Sequence, residues 1–423
     1  MVHSPNNQTL INLKKLPEAR QYFVAFSGGM DSTALLHVLS NSPYKSKLVA
    51  IHVNHNINDN AKLWQQHCHA FCHDRGIKFI TESVTPHSLS ENDLRSARLN
   101  VFDQHLKPDD CLLTGHHQSD QAETILFRLI RGTGLLGMTA IEPLSKQFKY
   151  RVYRPLLSTS KNDIQQYISS HCLSYVNDPS NDNDQYSRNF IRNQMVPIIN
   201  QYQSDGIQQI CLTANNLKQS LALLSDLVGK TNPIKVQAHT KPNQLATFIY
   251  HWLHNLGLRS PSHKRLLQFS ADSMQSSHDK QTELITDGYK LQCWKKQIYA
   301  LKLITPPSTK ELRLQLTTNK PIELPYMTGQ LIMTGNHSAS FNATIKFCQT
   351  SEVILLKGHK HRQKIKKLFQ SHAIPPWERL VIPYLYIDNE LMAVGSYFVS
   401  QKFNLLLDEL NTEYEWLSPQ FLL

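Results

Sequence analysis

Along residues 22–131, short apolar runs alternate with stretches whose apolar positions recur every three or four residues. That alternation predicts βαβ units around a parallel sheet. YFVAF (22–26), KLVAIHVN (47–54), IKFITESV (77–84) and CLLTGH (111–116) read as strands. Their nearly continuous apolar character suits strands covered on both faces. Helices are expected over 32–40, over 59–75 with a stop at Gly76, over 91–106, and over 120–131 closed by Gly132. Beyond residue 150 the pattern changes. Residues 154–172 read as a turn and a helix, and 178–197 as a polar loop running into a short helix ended by Pro197. Residues 200–300 read as mainly helical, with amphipathic stretches at 207–228 and 243–257. Pro306–Pro307 marks a linker, and 311–423 is strand-rich. The expected fold class is α/β: an N-terminal Rossmann-like parallel sheet (1–200), a helical domain (201–307) and a small α+β C-terminal domain (308–423).

Composition narrows the partners more than the fold. The 423 residues are 40% hydrophobic and 18% charged, as in a globular chain of more than one domain. Lys+Arg 44 against Asp+Glu 33 leaves a net charge of +11, which suits a polyanionic partner. The seven cysteines follow no small-domain disulfide framework and fit a reducing compartment. The first twenty residues have no apolar signal core, and no apolar run is long enough to cross a bilayer. A cytoplasmic protein without a membrane partner is expected.

Candidate chemistry begins at S-G-G-M-D-S, residues Ser27, Gly28, Gly29, Met30, Asp31 and Ser32, between an expected strand and an expected helix. The glycines can take positive φ and let phosphate oxygens approach the backbone. The helix N-terminus behind them offers unsatisfied N–H groups and the positive end of its dipole. Asp31 would repel a phosphate unless it binds a metal or takes a proton. The plainer alternative is a tight turn with Asp31 or Ser32 as helix N-cap.

The hexapeptide resembles the PP-loop of the N-type ATP pyrophosphatases. HVNHNIND (52–59), GHHQSDQAETILFRLIRGTG (115–134), RPLL (154–157) and DPSNDNDQYSRNFIR (178–192) resemble, more narrowly, the tRNA(Ile)-lysidine synthetases. Residues 358–395 resemble that family's C-terminal domain. The resemblance implies an adenine nucleotide α-hydrolase-like fold using ATP with Mg²⁺, for which Asp31 is the candidate metal ligand. It implies ligation of L-lysine, through its ε-amine, to the wobble cytidine of the CAU anticodon of tRNA(Ile), with release of AMP and pyrophosphate. The oligomeric state is left open, a homodimer being one option. A cytidine thiolase sharing the PP-loop is the rival enzyme, but such enzymes rely on a reactive cysteine pair, and this chain has only C-x-x-x-C at 68–72. A catalytically dead RNA-binding protein is the rival from another class.

Asp120 and Glu123 are three apart and share a helix face. Spacing alone allows a capping pair, with Asp120 at N-cap and Glu123 at N3; the resemblance implies carboxylates that hold lysine. His55 and His116 follow expected strands where nucleotides bind in open α/β sheets. Arg188 and Arg192 lie four apart, one above the other, and suit phosphate or carboxylate recognition. Arg95 and Arg98, in LRSARL, match the family's A-R-x-x-R-Y, with Leu94 and Leu99 replacing its alanine and tyrosine. Ser119 stands where the family usually has the first of two aspartates, and Asn56 and Asn58 where it has glycine and arginine. HCHAFCH (67–73) could bind metal, or be a core stripe through Cys68 and Cys72. Finally, KGHKHRQKIKKLF (357–369) carries six cations and no acid. Its Lys364, Lys366 and Lys367, with interleaved histidines and Phe369, suit phosphate contacts supplemented by stacking.

Overall fold

The computed structural model describes residues 10–56, 60–85, 88, 90–145, 148–179, 187–236, 241–275, 282–305 and 311–423. Pro306–Pro307, Asn58 and most of the polar loop before residue 187 lie outside them. The chain divides into two compact units, Met1–Leu224 and Ser225–Leu423.

In the first unit the apolar runs form β1 (Tyr22–Ala25), β2 (Leu48–Asn54), β3 (Lys78–Ser83) and β4 (Cys111–Leu113). Between them lie α1 (Met30–Ser40), α2 (Ala61–His73) and α3 (Glu91–His105). Then follow α4 (Gln118–Ile130), α5 (Leu135–Met138), β5 (Leu144–Ser145), β6 (Arg151–Tyr153) and α6 (Lys161–Ser170). The sheet order is β3-β2-β1-β4-β6-β5, parallel except for β5 against β6. Alternate side chains divide between two faces. Val24, Ala50 and Leu113 pack with Leu35, Leu36, Leu39, Cys68, Cys72 and Ile164 on one face. Phe23, Val49, Ile51 and Leu112 pack with Val101 and Phe102 on the other. The central strands β1 and β4 and the first half of β2 are therefore apolar at successive positions, as expected where a sheet is covered on both faces. Because β2 and β4 flank β1, the chain leaves β1 and β4 at the topological switch point, where open α/β sheets form a ligand crevice.

After α6, residues 187–202 run as α7 (Ser187–Phe190), a π-turn (Ile191–Met195) and α8 (Val196–Tyr202). Pro197 therefore opens a helix instead of ending one: its missing N–H costs nothing in a first turn, where the donors are unpaired anyway. The long helix α9 (Gly206–Val228) follows.

The second unit has two sheet-based cores. The helices α10 (Pro242–Asn255) and α11 (His263–Gln275) cover an antiparallel sheet. It comprises β7 (Ile234–Lys235), β8 (Thr282–Ile285), β9 (Tyr289–Trp294) and β10 (Gln297–Lys302). This sheet adds strands to a region whose helices the periodicity had marked. Farther on, β11 (Leu312–Thr317), β12 (Ile322–Glu323), β13 (Gln330–Gly335) and β14 (Ser340–Lys346) enter an all-antiparallel arrangement. The short pair β15 (Val353–Ile354) and β16 (Gln363–Lys364) leads into α12 (Ile365–Ser371) and α13 (Pro376–Arg379). The chain closes with β17 (Tyr384–Ile387), β18 (Glu390–Val394), β19 (Phe398–Val399), α14 (Gln401–Leu410) and β20 (Thr412–Leu417). Ile365, Leu368 and Phe369 of α12 and Phe403 and Leu407 of α14 are buried in this core.

Candidate active site

In the turn after β1 the Gly29 N–H donates to the Ser27 hydroxyl at 3.3 Å. Gly28 has φ +83, and a Cβ there would stand 2.9 Å from the Cys68 sulfur and 3.4 Å from a Val176 methyl. A side chain at 28 is thus excluded by conformation and by space together. Below the turn, the Gly28 carbonyl accepts from the Val176 N–H at 2.8 Å and from the Thr33 hydroxyl at 3.2 Å. The N-cap of α1 is Gly29, with no side-chain cap. Neither Asp31 nor Ser32 caps the helix: the Ser32 hydroxyl donates to the Gly29 carbonyl at 3.0 Å and sits 3.1 Å from the Ser27 hydroxyl. A helix start without a side-chain cap keeps the unpaired N–H groups and positive dipole end to which anions are drawn.

Asp31, in the first turn of α1, has a side chain 36% exposed, yet its Oδ1 is buried and has no hydrogen-bond partner among the described residues. Burial pushes its pKa up. His117 Nε2 lies 3.8 Å from that oxygen and 3.7 Å from Asp120. The loop after β4 meets the turn closely: a Cβ on Gly115 would lie 3.2 Å from Asp31 and Ser32 backbone atoms. The need for glycine at 115 was legible only as part of a longer motif.

At the start of α4 the capping box is formed by His117 and Asp120, not by Asp120 and Glu123. The His117 N–H donates to Asp120 Oδ2 at 2.9 Å, and the Ser119 N–H donates to His117 Nδ1 at 3.2 Å. The helix starts two residues earlier than spacing suggested, since a histidine nitrogen can accept where a hydroxyl usually does. Glu123 is thereby released from capping. It is 1% exposed and receives both the Nε–H and an Nη–H of Arg192, at 2.7 and 2.9 Å. The second guanidinium edge reaches Asp120 Oδ1 at 3.3 Å. Arg188 Nε stands 3.8 Å from Glu123, and its Nη donates to the Thr124 hydroxyl at 3.1 Å. The π-turn at 191–195 is the local device between these two arginines. Although burial opposes it, Asp120 is held below the usual carboxylate range by His117, His116, the His117 amide and Arg192.

These groups border a cleft of about 730 Å³, a size suited to a nucleotide-sized ligand. Ser27, Gly29, Asp31, Ser32, His55, Arg95, Arg98, His116, Asp120 and Arg188 line it, as do Asn54, Asp178 and Asn189. Its floor is apolar, with Ile51, Val53, Phe102, Leu112 and Val152 among the lining. Gly28, Met30, Glu123 and Arg192 are not lining residues: Met30 packs on the core beneath α1, and the other three act from behind the wall. Burial, then the positive neighbours Arg154, Arg188 and Arg95, bring His116 down to about 4 against the pull of Asp120, so it is neutral at physiological pH. His55 is likewise pushed down to about 4 by burial, Arg98 and His52. Asn56 takes φ +53, which asparagine tolerates better than most residues, so glycine is not required there.

Among the described residues no group of three or more His, Cys, Asp or Glu could hold a metal ion. Cys68 and Cys72 are fully buried in the α2 core, with their thiols pushed up to about 12 by burial, so the core-stripe reading of 67–73 is the one the fold adopts. In the second unit, Lys364, Lys366 and Lys367 are exposed and make no ion pair among the described residues, whereas Lys357 pairs with Asp408 at 3.1 Å. Phe369 is 1% exposed, packs 6.0 Å from Phe398 and offers no ring for stacking. Helical spacing puts it on the same inward face as Ile365.

Residues 3–199 match the PP-loop domain family, and residues 343–416 match the TilS substrate C-terminal domain. The tRNA(Ile)-lysidine synthase of Legionella pneumophila (strain Lens) is 30% identical over 408 residues, covering 92% of this chain and 94% of its own. That of Haemophilus ducreyi is 30% identical over 420 residues, with 92% and 96% covered. A solved U34-tRNA thiolase from Methanococcus maripaludis overlaps 49% of this chain and 75% of its own at 17% identity and a TM-score of 0.41. That overlap is too slight to rest anything on.

Proposed function

The chain belongs to the tRNA(Ile)-lysidine synthase family, and from that premise we propose that it joins L-lysine to the wobble cytidine of the CAU anticodon of tRNA(Ile). The observation that carries the reading is the uncapped, glycine-lined start of α1 beside a buried Asp31 oxygen, on a cleft that Asp120 lines as well. Oxygen on the cytosine ring is a poor leaving group. ATP supplies an AMP group to it, with release of pyrophosphate. The lysine ε-amine then bonds to the ring carbon, the carbon–oxygen bond breaks, AMP departs and the amine loses a proton.

The chain's own part is placement and charge. The Gly29 backbone and the α1 N-terminus receive phosphate oxygens in a turn that Gly28 shapes, with the Ser27 and Ser32 hydroxyls beside them. Asp120 keeps its negative charge and offers it to a lysine ammonium. Glu123 acts through Arg192, which it locks bidentately, and Arg192 in turn steadies Asp120. Arg95, Arg98 and Arg188 balance the charge of AMP, or of the lysine carboxylate, at the cleft wall. Mg²⁺ fits the residues present, because it binds through one or two carboxylates plus substrate phosphates, and Asp31 Oδ1 is a buried acceptor without a donor. It would supply neutralisation of phosphate charge. The domains 201–307 and 308–423 are assigned to tRNA, with Lys364, Lys366 and Lys367 on its phosphates, and the enzyme to the cytoplasm.

Thiolation is disfavoured by the site itself: among the described residues no cysteine lines the cleft. Pyrophosphate release measured with tRNA present tests the reading. Release should require ATP and be pulled to completion by lysine, not by a sulfur donor. Sulfur-dependent product would refute it.

A further inference from the structure

The cleft holds one more cation than the reaction above uses. Arg154, at the head of the RPLL motif directly after β6, lines it. Its side chain is anchored at one end, where an Nη–H donates to the Glu142 carbonyl at 2.6 Å. Its backbone N–H donates to the Pro143 carbonyl at 2.9 Å. The Nε–H is buried and meets no acceptor among the described residues. Among the described residues, the carboxylate acting on this guanidinium is Glu142, which is 51% exposed and already paired with Lys218. Arg95 bears on it with like charge, and Arg154, Arg188 and Arg95 all bear on the neutral His116.

A buried N–H with no acceptor, on a cation crowded by cations, is unfavourable in the empty cleft. A small turn of the guanidinium about its Glu142 anchor would bring this edge to a ligand oxygen, which would supply the acceptor it lacks. Position selects the anion. The Thr114 N–H donates to the Tyr153 carbonyl at 3.2 Å, which ties the residue before Arg154 to the loop after β4. The next residue in that loop, Gly115, is the one packed against Asp31 and Ser32. Arg154 therefore lines the same cleft as the phosphate-binding turn, on the loop tied to it, whereas the acids assigned to lysine are already served by Arg192.

We propose that Arg154 is a further substrate-binding residue of this cleft, and that its unused Nε–H edge takes a phosphoryl oxygen. The proposal deepens, and rests on, the lysidine-forming reading. The oxygen belongs either to ATP or to the tRNA backbone next to the target base. The guanidinium presents a planar fork that a lysine ammonium cannot reproduce.

The test uses the full-length chain with Arg154→Gln and Arg154→Lys, measuring ATP and tRNA affinity without turnover, the KM for lysine, and the melting temperature. Arg154→Gln should weaken ATP or tRNA binding roughly ten-fold or more, as expected for a lost charge-assisted hydrogen bond. The lysine KM should stay put, and Arg154→Lys should restore part of the loss. Weakening confined to ATP identifies the nucleotide as the source of the oxygen. Weakening confined to tRNA, with a flatter salt dependence, identifies the backbone. Unchanged affinity for both, or an effect confined to lysine, overturns the proposal. So does a lower melting temperature with both affinities intact, which would leave Arg154 only the task of holding Glu142. A wild-type chain that binds no ATP would instead sink the functional reading on which this one rests.

Discussion

Asp31 concentrates the conflict between stability and chemistry in a single side chain. Its buried oxygen lacks a donor, and burial raises its pKa above the ordinary 3.8. A raised carboxylate pKa means that the folded state holds the proton longer than the unfolded one. Stability is then lost as pH rises from 3.8 through the folded value, and the charged form is a burden at neutral pH. Asp31→Asn should therefore melt no lower than the wild type at pH 7, and its relative advantage should shrink toward acid pH. Turnover should fall by about a hundred-fold or more if the carboxylate serves phosphate chemistry. Thermal melts across pH together with pyrophosphate release check both halves; lower stability at pH 7 with retained turnover would contradict the account. Single residues were legible in the sequence where a motif fixed their chemistry, as for Ser27 to Ser32. Arg154 was not singled out, because its significance lies in an unmatched Nε–H that only the packing of Glu142 and Arg95 exposes.

At the scale of elements, the tie between α4 and the 187–195 segment organises the acidic side of the site. Glu123 on α4 grips Arg192 in the π-turn, and Arg188 on α7 reaches Thr124. Three-residue spacing showed that Asp120 and Glu123 share a face, but not which of them caps the helix. That depended on His117 acting as N-cap, a role sequence preferences assign to other residue types. Glu123→Ala should destabilise the chain by about 2 kcal/mol, below the usual cost of breaking a buried pair, since Arg192 is 33% exposed and can recover water. It should also raise the KM for lysine far more than that for ATP, because the loosened guanidinium no longer steadies Asp120. Denaturant melts and steady-state kinetics provide the check; equal rises in both KM values would mean that the tie supports the whole cleft and not the lysine side.

For the whole molecule, alternation between apolar runs and helical periodicity was enough to predict the parallel sheet and the place of the crevice. Strands buried on both faces carry few polar positions, so their apolar runs stand out. The antiparallel strands at 282–302 were less visible, because half-exposed short strands such as Thr282–Ile285 alternate weakly. Phe369 shows the same limit: beside basic residues it resembled a stacking ring, yet its helical position turns it into the core. The cations around it remain outside, and neutralising Lys364, Lys366 and Lys367 together should weaken tRNA binding. The slope of log affinity against log salt should fall by about two to three. Binding titrations over a salt series measure this, and an unchanged slope would remove the basic segment from the RNA interface. The central claim is tested most directly by mass analysis of the wobble nucleoside after the chain is incubated with ATP, lysine and tRNA(Ile) bearing CAU. The account predicts a cytidine that has gained lysine with loss of water, formed only when ATP is present. An unmodified cytidine, or one carrying sulfur, would contradict it.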